Sequence, residues 1–199
     1  MNIRSRRGSH VWDAERLEAR TLLAATVVRE VVSNFGGSEV ADDVVVQRDG
    51  RPVVLGHTEG GVDGGRLFLA RYEIDGTLDT FFGEGGRMFG EFPEFPRATA
   101  MATDRAGRIY VAGVTDGTSE DPEAPIDPAI AVMRFTRSGF LDRSYGNGGL
   151  ATVQAGTGEV VNDLAVDPSG RAVVAGQTLV TSPGGPNATP AFMAARSCR

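Results

Sequence analysis

"AGRIYVAG", residues 106–113, is nearly repeated as "DGRPVVLG" at 49–56 and "SGRAVVAG" at 169–176. In each copy a glycine follows Asp49, Ala106 or Ser169 and precedes an apolar run, and glycine supplies the positive φ that a tight hairpin turn requires. Gly50, Gly107 and Gly170 are 107 − 50 = 57 and 170 − 107 = 63 residues apart. A second apolar run starts eleven residues before each glycine: "EVADDVVVQRD" from Glu39, "PRATAMATDRA" from Pro96 and "EVVNDLAVDPS" from Glu159. This fixed register predicts the same hairpin three times, and a period near sixty marks a repeat architecture.

A second block recurs between the hairpins, "RYEIDGTLDTFFGEGG" at 71–86 and "RFTRSGFLDRSYGNGG" at 134–149, with Gly76 and Gly139 again 63 apart. Leu78 and Leu141, Asp79 and Asp142, Phe82 and Tyr145, Gly83 and Gly146 hold matching places. The aromatic reads as an anchor under a glycine-rich turn, with the leucine packed beside it and the aspartate capping the turn's backbone. In the second unit the apolar runs place strands near 87–92, 98–103, 108–115 and 129–136. The first unit opens near 25–33 and the third closes near 190–196, giving units of roughly 26–86, 87–149 and 150–199. Between the third and fourth runs the loop varies, from Gly60–Gly65 to "DGTSEDPEAPIDP" and "SPGGPNATP".

Composition agrees with short strands and tight turns. Twenty-seven glycines and ten prolines in 199 residues, with 41% hydrophobic content, favour an all-β chain able to bury a core. The net charge is −6. Residues 1–29 carry six arginines against Asp13, Glu15 and Glu18, about +3, which leaves about −9 for the remainder. An acidic body argues against a nucleic-acid partner. No run approaches the length of apolar sequence that spans a bilayer, so no integral membrane span is expected. Cys198 is the single cysteine and precludes an intrachain disulfide.

The pattern "RYxxDGxLDxxFGxGG" followed by "DGRxxVAG" resembles the delta-60 repeat, a bacterial repeat whose strands are thought to form β-propeller blades. The likeness covers residues 39–196 and implies about three four-stranded antiparallel blades in an open or incomplete propeller. The third copy departs from it: Ser197 stands at the aromatic position, and the sequence stops before a "DGxLD" block. A truncated piece of a larger surface protein is therefore an alternative to an independent module. Closed propellers typically have four to eight blades, so three imply self-association or packing against further repeats.

At the N-terminus, "LEARTLLAA" at 17–25 resembles the LEPR-XLL segment of planctomycete surface proteins, with Ala19 at the proline of that motif. The basic start and short apolar stretch read as an export or sorting segment over residues 1–25, ahead of a repeat domain at 26–199. The competing reading is an amphipathic helix, with Trp12, Leu17 and Leu23 set among arginines. The resemblance implies a secreted or cell-surface protein.

Candidate chemistry is sparse. A nucleophile triad needs a histidine; of the two present, His10 lies in the leader and His57 stands where the other copies have Val114 and Gln177. Asp116, Glu120, Asp121, Glu123 and Asp127 share one loop and offer the oxygen ligands that suit calcium, but prolines interleave and a solvated acidic loop is the preferred reading, with no metal site assigned. Asn187-Ala188-Thr189 is a chance match to a glycosylation acceptor. The expectation is a noncatalytic interaction or spacer module without a cofactor, whose partner is an unidentified protein or surface polymer; a propeller-type enzyme is the remaining alternative.

Overall fold

A computed structural model of the chain describes residues 31, 33–59, 66–90, 92, 97–115, 128–154, 157–181 and 188–196. The export-like segment, the strand expected near 25–33 and the acidic loop from Asp116 to Asp127 lie outside the described residues. Every described strand falls within Ser33–Arg199, one compact unit.

Among the described residues eleven strands form three antiparallel sheets. The first contains β1 (Ser38–Val46), β2 (Pro52–Glu59), β3 (Leu67–Arg71) and β4 (Arg87–Gly90) in chain order. The second repeats it with β5 (Arg97–Thr103), β6 (Ile109–Val114), β7 (Ile130–Phe135) and β8 (Leu150–Val153). In the third, β10 (Ala172–Thr181) lies between β9 (Thr157–Val166) and β11 (Ala188–Arg196). The architecture is all-β with unclosed sheets, consistent with an incomplete propeller.

Sheet boundaries differ from the units drawn through the sequence. The units expected from the sequence place the strand near 87–92 with the runs that follow it, yet β4 hydrogen-bonds to β3 and completes the first sheet. β8 likewise closes the second sheet on β7. The glycine-rich turn at 83–86 is therefore a connection inside a sheet, because it reverses the chain tightly enough for Arg87 to pair with Ala70. Among the described residues the third sheet has three strands.

The opening motif owes its two glycines to different causes. Gly50, Gly107 and Gly170 have φ of 84°, 81° and 76°, and each donates its N–H to the carbonyl three residues back, on Gln47, Asp104 or Asp167. The terminal glycine, Gly56 in the first copy, faces a β-bulge. The ladder steps from Ala41 to Asp43, from Ala98 to Ala100 and from Val161 to Asp163, leaving Asp42, Thr99 and Asn162 unpaired at the same place in each sheet. There the strands approach so closely that a Cβ on Gly56 would run into the Val40 carbonyl oxygen and the Phe68 ring.

Apolar alternation divides into two layers. Val53, Leu55, Leu67 and Leu69 of the first sheet meet Met101, Ile109, Val111 and Met133 of the second. On the other face of the second sheet, Tyr110, Ile130 and Val132 meet Val161, Leu164, Ala172 and Val174 of the third. Each fully buried aliphatic side chain stabilises the stack by about 1.5–3 kcal/mol, so the sheets hold together chiefly through these layers.

Candidate functional site

After β3, the segment 72–86 turns back under its own sheet. Gly76 N–H donates to Glu73 O, and Asp75 Oδ1 accepts from Thr77 N at 2.9 Å. The returning chain then ties Asp79 N to Arg71 O, Phe82 N to Asp79 O and Arg71 N to Gly86 O. Residues 134–149 reproduce these bonds: Asp142 N to Arg134 O, Tyr145 N to Asp142 O and Arg134 N to Gly149 O.

This backbone places one carboxylate against one guanidinium above an aromatic ring. Asp79, fully buried, accepts from Phe81 N through Oδ1 and from Arg71 Nε (2.7 Å) and Arg51 Nη1 (2.8 Å) through Oδ2. The Arg71 guanidinium carbon lies 4.7 Å from the Phe82 ring centre. In the second sheet Asp142 accepts from Arg134 Nε (2.8 Å) and Ser144 Oγ (2.6 Å), with Arg134 4.6 Å from the Tyr145 centre. Burial, the largest influence on Asp79, pushes its pKa up, but the Phe81 N–H and the two arginines outweigh it and hold the pKa below the ordinary value. Asp142 is held low first by the Ser144 hydroxyl, which outweighs burial. Arg71, Arg134 and Arg51 are the members that sequence reasoning missed. Their signal was present: "RY" and "RF" open both blocks, and an arginine follows each of the three turn glycines.

Of the residues singled out in the sequence, Phe82 and Tyr145 are fully buried, and Asp79 and Asp142 cap the turns. Leu78 and Leu141 lie against Gly86 and Gly149, where a Cβ would meet them at 2.8 and 2.7 Å. Gly83 and Gly146 have φ of 53° and 51°. His57 Nδ1 lies 2.7 Å from Oδ2 of Asp42, the bulge residue. The acidic residues of the loop 116–127 lie outside the described residues. Among the described residues no three His, Cys, Asp or Glu side chains gather as metal ligands. No described helix is long and apolar enough to cross a membrane.

The first assembly grips the neighbouring sheet. Arg71 Nη1 donates to Arg137 O (2.6 Å), Gly83 N donates to Ser138 O (2.8 Å), and the Phe82 ring faces Gly139. Around the matching arginine of the second sheet there is instead a cavity of about 350 Å³, lined by Arg108, Arg134, Ser144, Ser169 and Gly170. Both guanidiniums there retain a carboxylate partner, Asp104 for Arg108 and Asp142 for Arg134. The cavity therefore offers hydrogen-bond donors with little net charge, suited to carbonyl or carboxylate oxygens.

Repeated antiparallel sheets, stacked face to face, with an arginine–aspartate–aromatic assembly recurring in the first two, define a β-propeller type of repeat chain. Residues 47–82 match the model of a family described as a domain of unknown function (DUF5122) beta-propeller. The matched stretch runs from the first hairpin turn to the buried Phe82, and so includes both Arg51 and Asp79. None of the curated proteins matches the chain.

Proposed function

We propose that the chain is a noncatalytic β-repeat module of an exported or cell-surface protein, acting as an interaction surface or spacer. The observation that carries this reading is where the recurring charged residues go. Arg51, Arg71, Asp79, Arg134 and Asp142 are engaged with one another inside the sheets, so the recurrence serves the scaffold. The segments that vary join β2 to β3, β6 to β7 and β10 to β11, and so leave the same end of each sheet. That end is the natural place for contact with another protein or a surface polymer. Export rests on Arg4–Ala25, which joins positive charge to an apolar run.

Residues 1–30, fused to a reporter active only outside the cytoplasm of a planctomycete host, should yield an active reporter. An inactive fusion beside an active known signal refutes export. The purified chain should co-sediment with envelope from that host and lose this binding when 116–127 and 182–187 are replaced by short glycine–serine turns. Binding that survives both replacements refutes the contact end assigned to the loops.

A further inference from the structure

The turn that leads into β8 holds a sequence step found nowhere else in the chain. Of the five asparagines only Asn147 precedes a glycine, in "YGNGG". Asn147 N donates to Leu150 O at 2.7 Å and Leu150 N to Asn147 O at 3.2 Å, so Gly148 and Gly149 form the tip, with φ of 64° and 112°. Asn147 and Gly148 are both exposed, and a Cβ on Gly148 would meet nothing within 4 Å. Among the described residues, neither the Gly148 N–H nor the Asn147 carboxamide has a hydrogen-bond partner.

A free amide nitrogen can attack the side chain of the residue before it. Gly148 N adds to Asn147 Cγ and loses its proton to solvent, the Cγ–Nδ2 bond breaks, and ammonia departs to leave a five-membered succinimide. Water then opens the ring. Attack at Cγ yields aspartate, and attack at the main-chain carbonyl yields isoaspartate, whose backbone runs through Cγ. One water enters and one ammonia leaves, with no oxidation. Glycine favours the step because it puts no side chain in the path of ring closure.

The fold withholds this reaction elsewhere. Asp49–Gly50 and Asp75–Gly76 could form the same ring by losing water, yet Gly50 N donates to Gln47 O and Gly76 N to Glu73 O, each at 2.9 Å. Their carboxylates are held as well, Asp49 by Arg51 N and Arg137 Nη2, Asp75 by Thr77 N and Thr77 Oγ1. Asn34 Oδ1 accepts from Gly36 N, and Asn162 precedes an aspartate.

We infer that Asn147–Gly148 is a modification site, at which the folded chain converts asparagine to aspartate and isoaspartate unaided. Glu84 holds the place of Asn147 in the first sheet, with its N–H on Arg87 O, so this turn accommodates a carboxylate. The aspartate product keeps the turn. Isoaspartate instead lengthens the main chain between the two bonds to Leu150 and loosens the start of β8.

The test is to hold the full chain at mildly alkaline pH, folded and in urea, and to follow its proteolytic peptides by mass spectrometry, with isoaspartyl methyltransferase labelling to count isoaspartate. The quantity that reads the structure is the folded rate divided by the unfolded rate at each step. It should lie near one at Asn147, and about tenfold or more below one at Asp49 and Asp75, where hydrogen bonds must break before the ring closes. Asn147→Glu should abolish the product at this turn. No product at residue 147 in the folded chain, a folded rate there suppressed as far as at Asp49 and Asp75, or a product that persists in Asn147→Glu would each overturn the inference.

Discussion

Replacing Asp79 with alanine removes the acceptor of Arg71 Nε, Arg51 Nη1 and the Phe81 N–H in one step. The Arg71 side chain is only 5% exposed, so its charge would remain buried with the Gln47 amide oxygen, the Arg137 carbonyl and the Phe82 ring as company. Breaking a buried ion pair from one side costs about 3–5 kcal/mol. Asp142 makes the matching pair in a wetter place, 17% exposed against an Arg134 that is 10% exposed, and its removal should cost about 1–3 kcal/mol. With a urea slope of about 1–3 kcal/mol per molar, Asp79→Ala should lower the unfolding midpoint by more than about 1 M, and further than Asp142→Ala does. Asp79→Asn keeps an acceptor for Phe81 but withdraws the charge facing Arg71, so most of the loss should persist. Urea titration followed by circular dichroism measures all three. If Asp79→Asn is as stable as the wild type, or if the two alanine variants fall equally, buried charge is not what makes the first assembly critical.

Acid should weaken the fold through the same two carboxylates. Both pKa values lie below the ordinary 3.8, so their contribution is complete above that value and is lost as pH falls through the depressed folded values. The urea midpoint should therefore drop below about pH 4, with a shallower drop in Asp79→Asn. Gly56→Ala should cost about 1–3 kcal/mol by collision with the Val40 backbone and the Phe68 ring. At Gly85 a Cβ meets nothing within 4 Å and only the φ of 65° opposes it, so Gly85→Ala should cost about 1–2 kcal/mol or less. Thermal melts of the two variants separate crowding from backbone strain.

Sequence patterning exposed the turns because a positive φ leaves a glycine behind it, as at Gly50, Gly107 and Gly170. It exposed the buried aromatics because Phe82 and Tyr145 return at one spacing. The arginines carried the same periodic mark, yet a charged residue at a strand end reads equally well as a solvated one. Only the burial of Arg71 against Asp79, eight residues on, gives it meaning. The sheet boundary at β4 was misplaced for a related reason: a run of apolar residues does not say which neighbour takes its hydrogen bonds. The bulge was visible only as a polar residue at the same place in "ADD", "ATA" and "VND", with Gly56 opposite to admit it.

The bulge has a bearing on solubility. β1, β5 and β9 each lie at the edge of a sheet, where a straight strand offers its free backbone groups to any passing chain. A residue squeezed out of line at Asp42, Thr99 or Asn162 bends that edge and spoils the template. At the opposite edges β4 and β8 are four residues long, too short to serve as one. β11 is the exception: nine residues paired with β10 in unbroken register. Among the described residues, β11 is thus the strand whose outer side neither a bulge nor a short length interrupts.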